Sequence, residues 1–360
     1  MSICQEINQL LNKRRIIRLT SMREFVVRVF TNFTVTNSTE LLGRTSEEMR
    51  LAGVRVVMNE SGDADLAVVL NAVVQPKWVR VPAGQLVKVL QEPVISNPVT
   101  HLFTYRHSSI YDQIFTHTPS GAKSREVLSL PLTGTFVDPE EVADLTIEQK
   151  SKTVSIIAST LSVLPGHKRR SEFITQLLSA RPDLIEHTFG KGRPSELVRK
   201  VDGLREYRYS VAIENTRSPR YITEKFCDCI LAGTVPLYYG APDIGEYFPP
   251  ESFIALPMDD MQQCLNILNR LSEDDYRNRI PALLEARRLI RDRYSVGALI
   301  LARIDAVSGT STQEKMLKIL FRLDGVLMQC QRFGVTLLPR RIISCLLTVS
   351  RRILSSRLAN

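Results

Sequence analysis

Lys225 sits where a lysine is out of place. Thr223 is a good N-cap, and Glu224 and Lys225 fill the first turn of the helix that should follow it. The carboxylate suits the positive end of a helix dipole and the ammonium opposes it. Lysine becomes favourable there if an anion docks on the free backbone N–H groups of the same helix end, which makes this a candidate phosphate site. A lysine that merely reaches water is the plain alternative, and the local pattern allows both. A second cation, Arg170, heads another predicted helix over 170–178, preceded by Lys168 and Arg169. A guanidinium grips phosphate through a planar fork and an ammonium acts as a point charge. A solvated basic cluster would look the same, and Arg169 is an alternative to Arg170. For proton transfer the candidate is Glu92, which ends an apolar run at Gln91-Glu92-Pro93. At a strand end facing a cleft such a carboxyl is partly desolvated and its pKa rises toward the range useful to a base. Exposed, it is an ordinary surface acid. His101, His107 and His117 are further possible bases or contacts.

These groups need elements to hold them. Around Lys225 the chain reads strand, polar loop, helix, strand: apolar runs at 209–213 and 235–239 flank the loop 214–220 and a helix whose buried face is Phe226, Cys229 and Ile230. Upstream, 153–158 is a compact apolar strand that feeds the Arg170 helix. In the first part of the chain, strands are expected at 23–33, 54–58, 65–71 and 86–90, with a helix end at 46–52. The stretch 97–133 has no long periodic segment and reads as loop-rich, suited to lining a cleft. Residues 138–151 are charged, contain Pro139, and read as a hinge between two α/β sets.

The segment 209–254 resembles the donor-binding motif of the α1,3/4-fucosyltransferase family, glycosyltransferase family 10. The matching residues are the acidic-Asn pair Glu214-Asn215, then Tyr221-Ile222-Thr223-Glu224-Lys225, then Val235-Pro236-Leu237 and Gly240. Tyr247, Phe248, Pro249, Pro250, Ser252, Phe253 and Ile254 continue the likeness, and Arg170 with Phe173 matches a phosphate-binding arginine upstream. Thr160 departs from it, because relatives often carry Ser-Asn after this strand.

The resemblance implies a GT-B-like α/β fold of two Rossmann-like domains facing a cleft. Residues 1–150 would bind acceptor, 151–310 would bind a GDP-sugar donor, and 311–360 would form a basic amphipathic helical tail. It implies an inverting transfer of fucose from GDP-fucose to a glycan hydroxyl, α1,3 or α1,4 to a GlcNAc- or Glc-type acceptor. Glu92 would be the base and Arg170, Asn215, Tyr221, Glu224 and Lys225 the donor contacts. Such a transfer needs a base and positive charge for the leaving diphosphate. The cations and a helix end would supply the charge, so no divalent metal or other cofactor is expected to be essential. Neither Asp63-Ala-Asp65 nor Asp259-Asp260 makes a convincing metal-binding pair. Another sugar-nucleotide donor, or a catalytically silent, membrane-associated glycan- or nucleotide-binding protein, would use the same phosphate machinery.

A chain of 360 residues, 44% apolar, suits two cores. The six cysteines include no CxxC and no histidine at metal-ligand spacing, which fits reduced thiols in the cytoplasm. No signal peptide or anchor is expected. The net charge of +9 is concentrated in the tail, where nine basic residues from 311 onward face Glu314 and Asp324. The body is near neutral, without a basic patch interleaved with aromatics, which argues against nucleic acid. Drawn as a helix at about 100° per residue, 340–357 places Arg340, Arg341, Arg351 and Arg352 beside a wide apolar face. Such a helix suits the anionic inner face of a bacterial membrane or docks on protein.

Overall fold

The computed structural model describes residues 24–32, 38–73, 77–119, 125–132, 135–143, 145, 147–160, 165–193, 195–304 and 312–317. The first unit carries β1 (Phe25–Thr31), α1 (Ser38–Leu42), α2 (Ser46–Leu51), β2 (Val54–Met58), β3 (Gly62–Asp63), β4 (Leu66–Leu70), β5 (Lys77–Pro82), β6 (Leu86–Leu90), α3 (Pro98–Arg106), β7 (Gln113–Thr116) and β8 (Glu126–Leu128). Thr45 and Glu48 close a reciprocal capping box that starts α2. Among the described residues the strands form a parallel sheet in the order β2-β1-β4-β6-β7-β8. β4 and β6 are buried along their whole length, as parallel strands covered on both faces must be. The one charge inside them, Lys88, donates to the Asn71 carbonyl and lies over the Tyr111 ring. The stretch 97–133 is therefore more ordered than its sequence suggests, with a helix and two strands. Its short strands fall below the length at which alternation is legible.

The second unit carries β9 (Lys152–Ile157), α4 (Pro165–Ala180), β10 (Thr188–Phe189), β11 (Tyr207–Ile213), α5 (Glu224–Leu231), β12 (Val235–Tyr239), β13 (Ile254–Ala255), α6 (Met261–Arg270) and α7 (Glu273–Leu289). Its sheet is again parallel, in the order β10-β9-β11-β12-β13. The chain steps from β9 to β10 on one side and to β11 on the other. The crevice beyond the C-terminal ends of β9 and β11 is thus a topological switch point, where open α/β sheets bind ligands. α4 begins at Pro165, five residues before the sequence-based start, because proline is well placed in a first helical turn. Arg170 consequently stands in the second turn and does not head the helix.

The segment expected to be a hinge is packed. Val137, Val142 and Ile147 are buried in the second core beside Ile230, Leu231 and Tyr276. Asp228 of α5, fully buried, accepts the Phe136 and Val137 N–H groups at 3.0 and 3.2 Å and pairs with Lys200 at 2.7 Å. Farther on, α8 (Val296–Ile304) returns to the first unit and buries Val296 and Ile300 against Leu41, Leu42 and Val68, although the sequence assigns 151–310 to the second. The buried Arg44 guanidinium joins the units at this return, donating to the Arg291 carbonyl at 2.9 Å and to Asp292 at 3.0 Å. β14 (Thr312–Leu317) pairs antiparallel with β5, so the tail begins as a strand and not as a helix. The rest of the tail, including the amphipathic stretch 340–357, lies outside the described residues.

Replacing Asp228 by alanine strands the Lys200 ammonium, the buried Val137 N–H and the part-buried Phe136 N–H. We expect a loss of about 3–5 kcal/mol in urea denaturation, the cost of breaking a buried pair. A loss under 1 kcal/mol would show that the linker is not held through this carboxylate.

Candidate active site

The loop between β11 and α5 is built around Glu214. This carboxylate is 2% exposed and accepts the Thr223 N–H and the Thr223 hydroxyl, both at 2.7 Å. Thr223 in turn caps α5, as its sequence predicts, and accepts the Lys225 N–H. The Lys225 ammonium lies 2.6 Å from Glu224 and 3.7 Å from Glu214. Beside Glu214, Asn215 accepts a 2.6 Å hydrogen bond from Arg170, so the arginine of α4 is aimed at the α5 end. Gly166 makes this approach possible: a Cβ there would collide with the Asn215 carbonyl. Arg170, Lys200 and Lys225 line one small cavity with Ala158 and Ile213, at the switch point between β9 and β11. Arg169 points elsewhere, pairing with Asp259 and lying over the Tyr239 ring.

Buried positive charge dominates the electrostatics of this crevice. Burial works against the charge of Arg170, and its Nε has no hydrogen-bond partner. His167, one turn earlier on α4, is buried with an unpartnered Nδ1, and burial together with Arg170 and Lys225 pushes its pKa down to about 4. For Glu224 burial acts upward, but Lys225 and Lys200 outweigh it and hold the carboxyl at about 2. For Glu214 burial dominates, Glu224 adds to it, and the carboxyl rises to about 7. Burial disfavours the Lys225 charge, yet Glu224 and Glu214 keep it protonated above the ordinary lysine range.

The first unit faces this crevice with the C-terminal ends of β4, β6 and β7. Asn71, held at φ 52° just after β4, accepts the Gln91 and Glu92 N–H groups at 2.8 and 3.3 Å and donates to the Gln91 side chain. His101 on α3 lies 2.7 Å from the Glu92 carbonyl and 2.9 Å from the Tyr105 hydroxyl. Burial first, then Lys88, keeps this imidazole neutral at about 4, so it orients the Glu92 backbone and does not exchange protons near neutral pH. The Glu92 carboxyl is raised above the usual carboxylate range by burial and by Glu224, with Lys225 pulling the other way. The two units therefore bring Glu92 within electrostatic reach of the α5 end. Tyr221 is 2% exposed and packs on His117 at 5.1 Å between ring centroids. Arg220, at φ 62°, gives its N–H to Asp243 and its Nε to the His117 carbonyl at 3.1 Å, which ties the loop to the end of β7. His107 stacks on Phe103 and serves α3. Among the described residues no group of three His, Cys, Asp or Glu side chains is placed to hold a metal ion.

Of the sequence-predicted site residues, Arg170 and Lys225 line one cavity, Asn215 and Glu224 bond to them, and Tyr221 and Glu92 lie within electrostatic reach of Glu224. Asn71, which holds the Gln91-Glu92 backbone, carries no sequence signal beyond an asparagine closing an apolar strand, and the role of Glu214 in fixing Thr223 is not visible in the motif alone.

Over residues 147–279 the chain matches the model of the glycosyltransferase family 10 (fucosyltransferase) C-terminal domain. These residues belong to glycosyltransferase family 10. The chain is 30% identical over 101 residues to an alpha-(1,3)-fucosyltransferase of Helicobacter pylori, which is 27% of this chain and 20% of that protein. It is 42% identical over 67 residues to a fucosyltransferase-like protein of Arabidopsis thaliana, 18% of this chain and 13% of that protein. The chain thus spans a fifth or less of the length of these relatives. A crystal structure of an alpha1,3-fucosyltransferase with GDP superimposes at a TM-score of 0.44 and 14% identity, over 78% of this chain and 93% of that one.

The folded Glu214 pKa lies near 7 and the ordinary value is 4.5, so the folded state keeps a proton that the unfolded state has lost between them. The stabilisation is fully present below pH 4.5 and is lost as pH rises through about 7. Glu214→Gln keeps an acceptor for Thr223 and removes the titration. Urea denaturation at pH 5 and pH 8 should show a smaller fall in stability for the variant than for the wild type; equal falls would contradict the assignment.

Proposed function

We propose that the protein is an inverting, metal-independent fucosyltransferase of GT-B architecture that moves fucose from GDP-fucose to a sugar hydroxyl. The observation that carries this reading is the convergence of Arg170 and Lys225 on one cavity at the switch point of the second sheet, with Glu92 of the first unit close enough to feel the charges of Glu224 and Lys225. Family 10 membership of residues 147–279 supports fucose as the sugar transferred. The second unit holds donor and the first holds acceptor.

In the single displacement, the Glu92 carboxylate takes the acceptor O–H proton while the freed oxygen pair bonds to C1 of fucose. The bond from C1 to the β-phosphate oxygen breaks, and GDP leaves with that electron pair. Inversion follows because the acceptor enters opposite the leaving group. Arg170 and Lys225 neutralise the charge that grows on the diphosphate, and a desolvated crevice strengthens that effect. Asn215 holds Arg170, Tyr221 forms the wall toward the first unit, and Glu224 fixes Lys225. A base with a raised pKa is matched to this task near neutral pH.

Transfer of labelled fucose from GDP-fucose across a glycan panel tests the reading. Glu92→Gln should lower kcat by about 10²- to 10⁴-fold, the usual worth of a general base, with the donor KM little changed. The wild-type rate should fall as pH drops through a value above the ordinary carboxylate range. GDP binding without transfer to any acceptor would favour a silent binding protein, and transfer from another nucleotide sugar alone would replace fucose.

For the tail the proposal is adsorption to an anionic membrane, supported by the arginine pattern of 340–357. Among the described residues no helix is long and apolar enough to cross a membrane. Co-sedimentation with anionic liposomes should be lost when the chain ends at residue 317, which keeps β14. Undiminished binding by the shortened chain would remove the proposal.

A further inference from the structure

Arg193 lies in the turn that follows a third strand, β10, beside the same crevice. It closes the turn after β10, where Gly190 adopts φ 131° and a Cβ would lie 2.7 Å from the Ala158 carbonyl oxygen. Backbone hydrogen bonds from Ala158 to Phe189 and from Thr160 to Lys191 clamp this turn to the exit of β9. Arg193 Nε donates to the Ala158 carbonyl at 3.2 Å, and Ala158 lines the cavity with Arg170 and Lys225.

The guanidinium is poorly satisfied. Its Nη2 is buried without a hydrogen-bond partner, and among the described residues no carboxylate pairs with it. Its positive charge acts on Arg170, whose own Nε is likewise buried and unpartnered in a side chain only 7% exposed. Two guanidiniums that share a crevice, each with an orphaned donor, repel one another. Buried charge of that kind is tolerated where an anion completes it. An oxygen-rich dianion would accept from both orphaned donors and turn the repulsion into a clamp, in the bidentate manner that suits arginine to phosphate.

We infer that Arg193 is a further ligand of the donor diphosphate, shared with Arg170. This rests on reading the crevice as the donor site. It adds the loop after β10 to the phosphate machinery, which local sequence alone assigns to α4 and α5. In the reaction it holds the leaving group and takes no proton.

Calorimetric titration of the full-length protein at low salt with GDP, inorganic pyrophosphate and guanosine tests the inference. Arg193→Gln should weaken GDP and pyrophosphate by at least about tenfold, the worth of a hydrogen bond to a charged group. Guanosine binding should be unchanged, and the melting temperature unchanged or raised because a like-charge contact is relieved. Arg193→Lys, which keeps the charge but not the fork, should fall between the two and decides the matter if the glutamine variant does not fold. Pyrophosphate and GDP affinities within twofold of wild type in the folded variants would overturn the role of Arg193 and leave the donor site standing. A wild type that binds pyrophosphate with Arg193 dependence but ignores GDP would keep the role and remove the sugar-nucleotide reading. A wild type that binds neither overturns both.

Discussion

The hydrogen bonds between Glu214 and Thr223 join the architecture of the second unit to its chemistry. Glu214 leaves the end of β11 and is buried, where an unpaired carboxyl is costly. Its two oxygens are satisfied by the N–H and the hydroxyl of one residue, and that residue is the cap of α5. The contact fixes where α5 begins. It therefore fixes Glu224 and Lys225 in the first turn, while the neighbouring Asn215 holds Arg170 from α4. Two helices and a strand end are brought into register by the adjacent Glu214 and Asn215, and the cations they carry are left facing one cavity.

The crevice then works by charge distribution across two units. On one side Lys225 is paired with Glu224, and Arg170 is held by a neutral amide, so positive potential survives for a ligand. On the other, Asn71 and His101 hold the Glu92 backbone by its N–H and its carbonyl, leaving the carboxyl to respond to burial and to the crevice opposite. The pKa displacements are opposite, Glu224 down to about 2 and Glu92 upward, and in the proposed reaction they would suit a fixed charge and a base. The return of α8 to the first core and the Arg44 clamp to Asp292 limit how far the units can separate.

Much of this was legible in the sequence where the determinants are local. The unit from β11 to β12 is a strand, a cap, an amphipathic turn and a strand within about thirty residues, and each signal is a near neighbour of the next. β6 was equally plain. What escaped is non-local. The register that sets Asn71 beside Gln91, and the buried pair of Lys200 with Asp228, join residues separated by 20 and more positions. Arg193 belongs to this class, because only the sheet order places β10 beside β9. The early start of α4 was missed for a different reason: Pro165 is a sound start signal, but its first turn carries His167 and Lys168 and so masks the apolar period.

In the proposed reaction the C-terminal ends of the two parallel sheets enclose a donor diphosphate with Glu92 across from it. A crystal structure of the protein with GDP bound tests this most directly. The diphosphate should lie between the second turn of α4 and the first turn of α5, within hydrogen-bond distance of Arg170 and Lys225, with the Glu92 carboxyl facing the open side of the β-phosphate. A diphosphate bound outside the crevice between β9 and β11, or one that Glu92 does not face, would contradict it.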